Sequence, residues 1–335
     1  MSVLSASRFF AERALAEFRP LAEFVERLGR TRLLELPARP GEATILAKCE
    51  LENPTGTIKD RTACAMMWRL LSERGSTGVR VLEYSGGTLA RPLAALCRDL
   101  GIESTLVLSS AADESILADL RAAGARIVLV PKEQGFYAVM QRAVAMHRED
   151  PGFSFLYQHE NAANLDMHEL GTGAELVEAL GGRTAHAWIA SIGTGGTLVG
   201  VHRALARHSP GVQVYATTPS ELPYGSDAPP NGLPKFAGSG GLGCGIRQPF
   251  VVPLDATIRR HFTYSLPETF AIMCSFHRET GIRIGSSSAA NLAAAREIAR
   301  ELGEGAIVVT VFPSAGTREE WAKAELVAVD APRQG

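Results

Sequence analysis

One lysine stands where a turn runs into a helix. In Leu51-Glu52-Asn53-Pro54-Thr55-Gly56-Thr57-Ile58-Lys59-Asp60-Arg61, Pro54 and Gly56 mark the turn, and Ala63, Met66, Met67, Leu70 and Leu71 then recur at helical spacing. Lys59 thus lies at a helix N-terminus, where backbone N–H groups are free and anions are favoured. Lysine is scarce: Lys48, Lys59, Lys132, Lys235 and Lys323 are the only ones among 34 lysines and arginines. In such a chain a lysine set by Gly and Pro suggests that an amine is required, because an amine can lose its proton and form a Schiff base whereas a guanidinium cannot. Taken alone, a solvated lysine at a helix start is the simpler reading.

Three loops of small residues supply the rest of a possible chemistry. Ser191-Ile192-Gly193-Thr194-Gly195-Gly196-Thr197 lies between a strand and a helix pattern, and its backbone can close around a tetrahedral anion with N–H groups and threonine hydroxyls. No Lys-Ser/Thr follows its glycines, and the G-x-G-x-x-G spacing with an acidic partner is missing, so neither a Walker A nor a dinucleotide loop is indicated. Ser85-Gly86-Gly87-Thr88 is suited to a carboxylate, and Gly285-Ser286-Ser287-Ser288-Ala289 opens a third helix with neutral hydroxyls. Each loop alone is equally a glycine turn or a helix cap. Together with Lys59 they offer an amine, a phosphate cup, a carboxylate cradle and a hydroxyl cluster. That inventory fits pyridoxal phosphate, which needs an imine-forming lysine, a phosphate site and a partner for its ring nitrogen.

The elements that must hold these loops alternate in type. A helical pattern at residues 8–28 is interrupted at Pro20, and an apolar strand follows at Thr44–Cys49. Strands are expected at 79–84, 104–108, 126–130 and 153–157, with helices at 89–100, 113–123 and 136–148 between them. The rhythm resumes with a helix at 165–180, a strand at 187–192, a helix at 197–207 and a strand at 212–217. Helices at 267–280 and 289–302 and a strand at 306–312 complete the set. Helix-ending glycines before β-branched runs are the punctuation of a wound α/β sheet. Residues 219–250, rich in Pro and Gly, are too long for a simple connector.

Composition bounds the reading. The chain has 335 residues, 46% hydrophobic and 21% charged, with net charge −2, which is ordinary for a globular protein with ample core. The absence of a basic block argues against a nucleic-acid partner, and no apolar run approaches a membrane span. The N-terminus mixes Arg8 and Arg13 with Glu12, Glu17, Glu23 and Glu26 and reads as an amphipathic helix, not a targeting peptide. Five scattered cysteines (Cys49, Cys64, Cys97, Cys244, Cys274) form no C-x-x-C pair, so reduced thiols in a cytoplasmic enzyme are expected, with no metal site.

The motifs and their order resemble those of the fold-type-II pyridoxal-phosphate enzymes, in particular cysteine synthase (O-acetylserine sulfhydrylase) and cystathionine β-synthase, over about residues 29–318. Asn53-Pro54-x-Gly56-x-Ile58-Lys59-Asp60-Arg61 is similar to N-P-x-G-S-x-K-D-R, and Gly193–Thr197 matches G-T-G-G-T letter for letter. Gln158-His159-Glu160-Asn161-Ala162-Ala163-Asn164, with His168 and Thr172-Gly173-Ala174-Glu175, resembles Q-x-x-N-P-A-N…H…T-G-P-E. Gly241–Gly245 resembles G-I-G-x-G, Gly285–Ser288 resembles G-I-S-S, and Phe312–Gly316 resembles F-P-x-x-G. The resemblance implies an α/β architecture of two wound domains, the tryptophan synthase β-subunit-like fold, with the cofactor in the cleft between them. It implies a large cofactor-binding domain of residues 1–45 and 159–335 and a smaller mobile domain of residues 46–158.

By the same resemblance Lys59 is the catalytic Schiff-base lysine. Gly193, Thr194, Gly195, Gly196 and Thr197 hold the phosphate, Ser287 faces the ring nitrogen, and Gly87 lies beside the cofactor ring. Ser85, Gly86, Thr88, Gln158 and Gly243 then contact substrate. His159 and His168 are expected to be hydrogen-bonders and Cys244 a small filler. The family's S-G-N-T-G reads Ser85-Gly86-Gly87-Thr88-Leu89 here, which removes an amide from the ring oxygen and leaves space. The proline of G-N-T-P-L is Arg32, and the last glycine of G-I-S-S-G is Ala289.

The implied reaction is pyridoxal-phosphate-dependent β-replacement on an activated serine (O-acetyl or O-phospho) through an aminoacrylate, with room at Gly87 for a nucleophile other than sulfide. Lys59, displaced from the cofactor by substrate, removes the Cα proton. A serine at the ring nitrogen leaves it unprotonated, which disfavours transamination and suits expulsion of a β-leaving group. β-Elimination, as in cysteine desulfhydrase or serine/threonine dehydratase, stays open. So does a catalytically weak binding or regulatory homologue, since fold does not fix function. A homodimer is implied by resemblance, and no haem or regulatory domain is expected because the chain ends soon after the last strand.

Overall fold

The computed structural model describes residues 17–37, 39–225, 243 and 245–330. The chain runs α1 (Arg19–Arg27), β1 (Leu33–Glu35), β2 (Thr44–Cys49), α2 (Lys59–Arg74), β3 (Arg80–Tyr84), α3 (Ala90–Asp99), β4 (Glu103–Ser109), α4 (Glu114–Ala122), β5 (Arg126–Val130), α5 (Gly135–Glu149) and β6 (Ser154–Phe155). It continues through α6 (Ala162–Met167), a π turn (His168–Thr172), α7 (Gly173–Leu180), β7 (Ala187–Ser191), α8 (Gly196–His208), β8 (Gln213–Pro219), β9 (Ile258–Tyr264), α9 (Leu266–Thr280), α10 (Ser286–Leu302), β10 (Ile307–Phe312) and α11 (Arg318–Asp330).

The strands form two sheets, one of six strands in the order β1-β2-β10-β7-β8-β9 and one of four in the order β5-β4-β3-β6. Every pairing is parallel except β1 with β2. Parallel sheets need cover on both faces, which is why β2 and β10 read as unbroken apolar runs. In the larger sheet, Met273, Phe276, Leu292 and Ile298 of α9 and α10 fill one face, and Leu198, Val201 and Leu205 of α8 fill the other. In the smaller sheet, Met66, Leu93 and Leu117 line one face and Val139 and Met146 of α5 the other.

The expected domain limits need two corrections. A boundary after residue 45 would cut β2, whose six residues all pair with β10, so the chain leaves the larger sheet only after Cys49. The first helix also belongs elsewhere: Leu21, Phe24 and Leu28 of the α1 region pack into the core shared by α2, α3 and the smaller sheet. An amphipathic stripe reveals that a face is buried, not which surface buries it.

Local departures have local causes. The helical pattern is interrupted beside Pro20 as expected: Glu17 is helical, Phe18 is not, and Pro20 sits in the first turn of α1, where its missing N–H costs nothing; the residues expected to be helical before position 17 lie outside the described part. The strand expected at 153–157 shrinks to two residues because Tyr157 takes a φ of +50°, turning the chain toward Gln158. The helix expected from 165 starts at Ala162, where the Asn161 side chain accepts from the Ala163 N–H. β1, the Arg-bearing edge strand β9 and α11 carry patterns too short or too polar to be read from periodicity. Of Gly241–Gly245, only Gly243 and Gly245 are described, so the expectation for Cys244 falls outside.

Candidate active site

The Lys59 turn is stitched together before it reaches the lysine. Asn53 Nδ2 donates to Glu50 O at 2.9 Å and Glu50 Oε2 at 2.6 Å, and Gly56, at φ +81°, closes onto Asn53 O at 2.8 Å. Thr57 Oγ1 then accepts the Lys59 N–H at 2.9 Å. Below it lies a buried ion cluster. Arg61 donates to Glu50 at 2.6 and 2.9 Å and to Glu175 at 2.7 and 2.8 Å, while Lys48 Nζ donates to Glu175 at 2.9 Å. Burial works against the charge on Glu50 and Glu175, but Arg61 outweighs it and holds both carboxyls below their ordinary values. Two cations and two anions thus pin the start of α2 to β2 and α7.

Among the described residues the Lys59 amine has no hydrogen-bond or ion-pair partner. Burial pulls it down to about 8, and the Glu83 carboxylate draws it back up. It is a half-buried amine with an accessible neutral form, the state that attacks a carbonyl.

The phosphate-cup residues follow β7 and open α8. Gly195 has φ +85°, and a Cβ there would lie 2.2 Å from Val251 Cγ2. A Cβ on Gly196 would lie 2.8 Å from Asn164 Oδ1, and one on Gly243 would lie 2.1 Å from Ile192 O. Thr194 Oγ1 accepts the Gly196 N–H at 3.2 Å. Among the described residues the N–H groups of Thr194, Gly195 and Thr197 have no acceptor, so this helix start presents free donors.

Asn164 joins this loop to α2, the helix that Lys59 opens. Its Nδ2 donates to Thr194 Oγ1 at 3.0 Å and to Gln158 O at 2.9 Å, and its Oδ1 accepts from Thr62 Oγ1 at 3.1 Å. His168, on the π turn, lies with Nε2 at 3.4 Å from Thr62 Oγ1 and 3.3 Å from Thr197 Oγ1, and with Nδ1 at 3.0 Å from Thr172 Oγ1. Burial, then Lys59 and Arg61, push its imidazolium well below the ordinary range, so it is neutral. α8 approaches this turn closely because Gly200 has no side chain: a Cβ would meet Leu165 O at 2.7 Å.

Of the three serines at the start of α10, two have no side-chain partner among the described residues. Ser288 Oγ donates to Ser314 O at 2.9 Å, whereas Ser286 Oγ is buried without a partner and Ser287, also buried, makes no side-chain hydrogen bond. The Pro313–Ser314 turn ties this helix to the lysine turn: Ile58 N–H donates to Pro313 O at 2.8 Å and Gly285 N–H to Ser314 O at 2.9 Å.

In the carboxylate loop, Ser85 Oγ turns inward and accepts the N–H groups of Gly87 at 2.9 Å and Ala90 at 3.2 Å, capping α3. Gly87 has φ +128°, a conformation L-residues rarely adopt. Gln158 Nε2 donates to Tyr84 O at 2.9 Å, which leaves its carbonyl oxygen for another partner. His159 stacks on Tyr84 with centroids 5.4 Å apart, and its Nδ1 lies 2.5 Å from the Tyr84 hydroxyl. Burial first, then Lys59, pull its pKa to about 3.

Glu83, Tyr84, Lys48 and Glu50 stand outside the motifs. Buried charge on an apolar strand was the available signal for Lys48 and Glu83. The fit to pyridoxal phosphate rests on three features: an amine with no partner, a loop whose glycines admit no side chain, and free N–H groups beside it. Among the described residues no cluster of His, Cys, Asp or Glu could hold a metal ion.

The candidate site is thus an unpaired lysine at the start of α2, with a glycine loop of free N–H groups bonded to that same helix through Asn164. Residues 26–314 match the family model described as pyridoxal-phosphate dependent enzyme, and the chain belongs to that family, whose cofactor it uses. Cysteine synthase of Staphylococcus aureus is 31% identical over 308 residues, 90% of this chain and 96% of that relative. The O-acetylserine dependent cystathionine β-synthase of Bacillus subtilis is 28% identical over 305 residues, 89% of this chain and 95% of that protein. A crystal structure of the O-acetylserine dependent cystathionine β-synthase of Helicobacter pylori superposes with a TM-score of 0.77 at 25% identity, covering 86% of this chain and 94% of that one. The fold class, enzyme class and cofactor expected from the motifs agree with these matches.

Proposed function

We propose that the protein performs β-replacement on an activated serine, O-acetyl- or O-phosphoserine, with Lys59 as the acid–base residue at Cα. The observation that carries this reading is the free, neutral hydroxyl of Ser287 at the helix start tied to the Lys59 turn. Bound pyridoxal phosphate supplies an electron sink for the pair left at Cα. With Ser287 as its neutral partner the ring nitrogen would stay unprotonated, so that sink would be weak and would favour expulsion of a β-leaving group over transamination. The relatives named for cysteine synthesis and for O-acetylserine dependence support the substrate class.

In this reading Lys59 anchors the cofactor, then takes the Cα proton and returns it. Gly193, Thr194, Gly195, Gly196 and Thr197 bind the phosphate through their N–H groups and hydroxyls. Gly86, Gly87, Thr88 and the free carbonyl oxygen of Gln158 face the substrate, Ser85 shapes their loop, and Gly243 closes the cup. The unit around β3–β6 moves toward the larger sheet as substrate binds.

We infer a homodimer from the family resemblance and a reducing, cytoplasmic location from Cys49, Cys64, Cys97 and Cys274, which are buried and unpaired. Among the described residues no helix is long and apolar enough to cross a membrane. The test is a screen of the purified holoenzyme against activated serines and a nucleophile panel, with the amino-acid products weighed by mass spectrometry. Pyruvate and ammonia without a replacement product would make the protein an eliminase. Borohydride trapping on a residue other than Lys59 would refute the site.

A further inference from the structure

Tyr84 holds two neighbouring residues at once. Its carbonyl oxygen accepts from Gln158 Nε2 at 2.9 Å, and its hydroxyl lies 2.5 Å from Nδ1 of His159. It also directly precedes Ser85, where the carboxylate loop begins. Gln158 O in turn accepts from Asn164 Nδ2 at 2.9 Å, and the same nitrogen donates to Thr194 Oγ1 at 3.0 Å. Hydrogen bonds therefore hold the Gln158–His159 turn between the carboxylate loop and the phosphate cup. The turn is a forced one: Tyr157, just before it, takes a φ of +50°, which bulky residues rarely adopt.

His159 is 6% exposed, yet only one of its two ring nitrogens is bonded. Among the described residues Nε2 has no partner. A buried polar atom without a partner is costly, and native proteins keep few of them. The tautomer follows from acidity. A phenol is a far stronger acid than a neutral imidazole N–H, so Tyr84 donates to Nδ1 and the ring's own hydrogen sits on Nε2. Burial, then Lys59, hold the ring neutral, with its pKa at about 3 against about 8 for the Lys59 amine. The imidazole is therefore a hydrogen-bond donor and no rival to Lys59 as a base.

The carboxylate loop is short of donors. A carboxylate offers about four lone-pair sites. The Gly87 N–H is spent on Ser85 Oγ, and that oxygen, which also takes the Ala90 N–H, is turned into the loop. Glycine at position 87 has no side-chain amide to add. A fixed N–H on the residue after Gln158 makes up the shortfall.

We propose that His159 is a substrate-binding residue whose Nε2–H donates to the carboxylate of the amino-acid substrate, and that Tyr84 is the positioning residue that fixes its tautomer and ring plane. The inference rests on the reading of Ser85–Thr88 as the cradle of an amino-acid substrate. No proton is transferred in this role. The bond anchors the carboxylate while Lys59 works at Cα, and it does so without a side chain at position 87, so the space there stays open for the nucleophile.

The experiment titrates wild type, H159F, H159Q and Y84F holoenzyme with two ligands that carry no β-leaving group. L-Alanine has the carboxylate, and L-alaninamide replaces it with a neutral amide. The visible absorbance of the cofactor reports binding. In H159F the dissociation constant of L-alanine should rise roughly 10- to 100-fold while that of L-alaninamide stays within about threefold. H159Q keeps an N–H donor and should recover most of the loss. Y84F should weaken L-alanine alone, by about 3- to 10-fold, and it carries the comparison if H159F does not fold. In apoprotein labelled with 15N-histidine, the His159 ring, identified by its absence from H159F or its shift in Y84F, should carry hydrogen on Nε2 and none on Nδ1.

Equal losses with both ligands, L-alanine binding unchanged in the variants, or hydrogen on Nδ1 in wild type would overturn the proposal. Wild type whose cofactor absorbance responds neither to L-alanine nor to O-acetylserine would instead remove the amino-acid-substrate reading, and this inference with it.

Discussion

At the scale of single residues, reactivity here comes from what a side chain lacks. Lys59 is surrounded by bonded groups and is itself unbonded, and burial brings its amine to about 8. Only the neutral amine forms an imine, so the rate at which apoprotein takes up pyridoxal phosphate should rise as pH climbs through about 8 and then level. Stopped-flow absorbance would show it, and a flat profile would contradict it. K59A should have neither the imine band nor turnover. Asn164 makes the complementary case, a residue that touches three partners and reacts with none. N164A removes the bonds to Thr194, Thr62 and Gln158 together, so cofactor affinity should fall by about 10- to 100-fold, read by equilibrium titration. An unchanged affinity would mean that the phosphate loop holds its shape unaided.

At the scale of elements, helix starts and the turns between them decide the site. The carboxylate loop differs from the family pattern at Gly87, and its φ of +128° means that asparagine cannot simply be restored. G87N should cost about 1–3 kcal/mol in stability without creating fast sulfide chemistry, measured by denaturant melts and cysteine assay. Across the cleft, the start of α4 grips the start of α11. Ser115 donates to Glu319 at 2.7 Å through Oγ and 3.1 Å through N, and Thr317 Oγ1 donates to Asp113 at 2.6 Å. S115A with T317V should loosen this clasp by about 1 kcal/mol per lost bond and raise hydrogen exchange at those two helix starts. Exchange unchanged there would show that the sheets' own packing holds the two units together.

At the scale of the whole molecule, the buried cluster of Arg61, Glu50, Glu175 and Lys48 joins β2, α2 and α7 where the chain passes between sheets. Removing one partner of a buried ion pair leaves a charge uncompensated, so R61M should lose about 3–5 kcal/mol at neutral pH. The sign of the pH effect follows from the carboxylates. Their folded-state values lie below the ordinary one near 4.5, so their contribution is complete above that pH and is lost as pH falls through the folded values. The gap between wild type and R61M should therefore narrow in acid, as thermal melts against pH would show. A constant gap would mean that packing of the Arg61 stem, not its charge, is what matters.

The alternation of helix and strand, the lysine turn, the glycine cup and the order of motifs were all readable along the chain, because each depends on neighbours within one turn or one loop. Hydrophobic period and helix-ending glycines are local properties, and so is the need for small residues where backbone must close on an anion. What folding decided is which distant groups meet. No spacing rule brings Asn164 to Thr62 and Thr194, Arg61 to Glu175 across 114 positions, or the start of α10 to the Pro313–Ser314 turn. α1 was visible as an amphipathic helix, yet the core that received it was not. Pairing across the sheet and burial set proton affinities and partners, and both exist only once the chain has closed on itself.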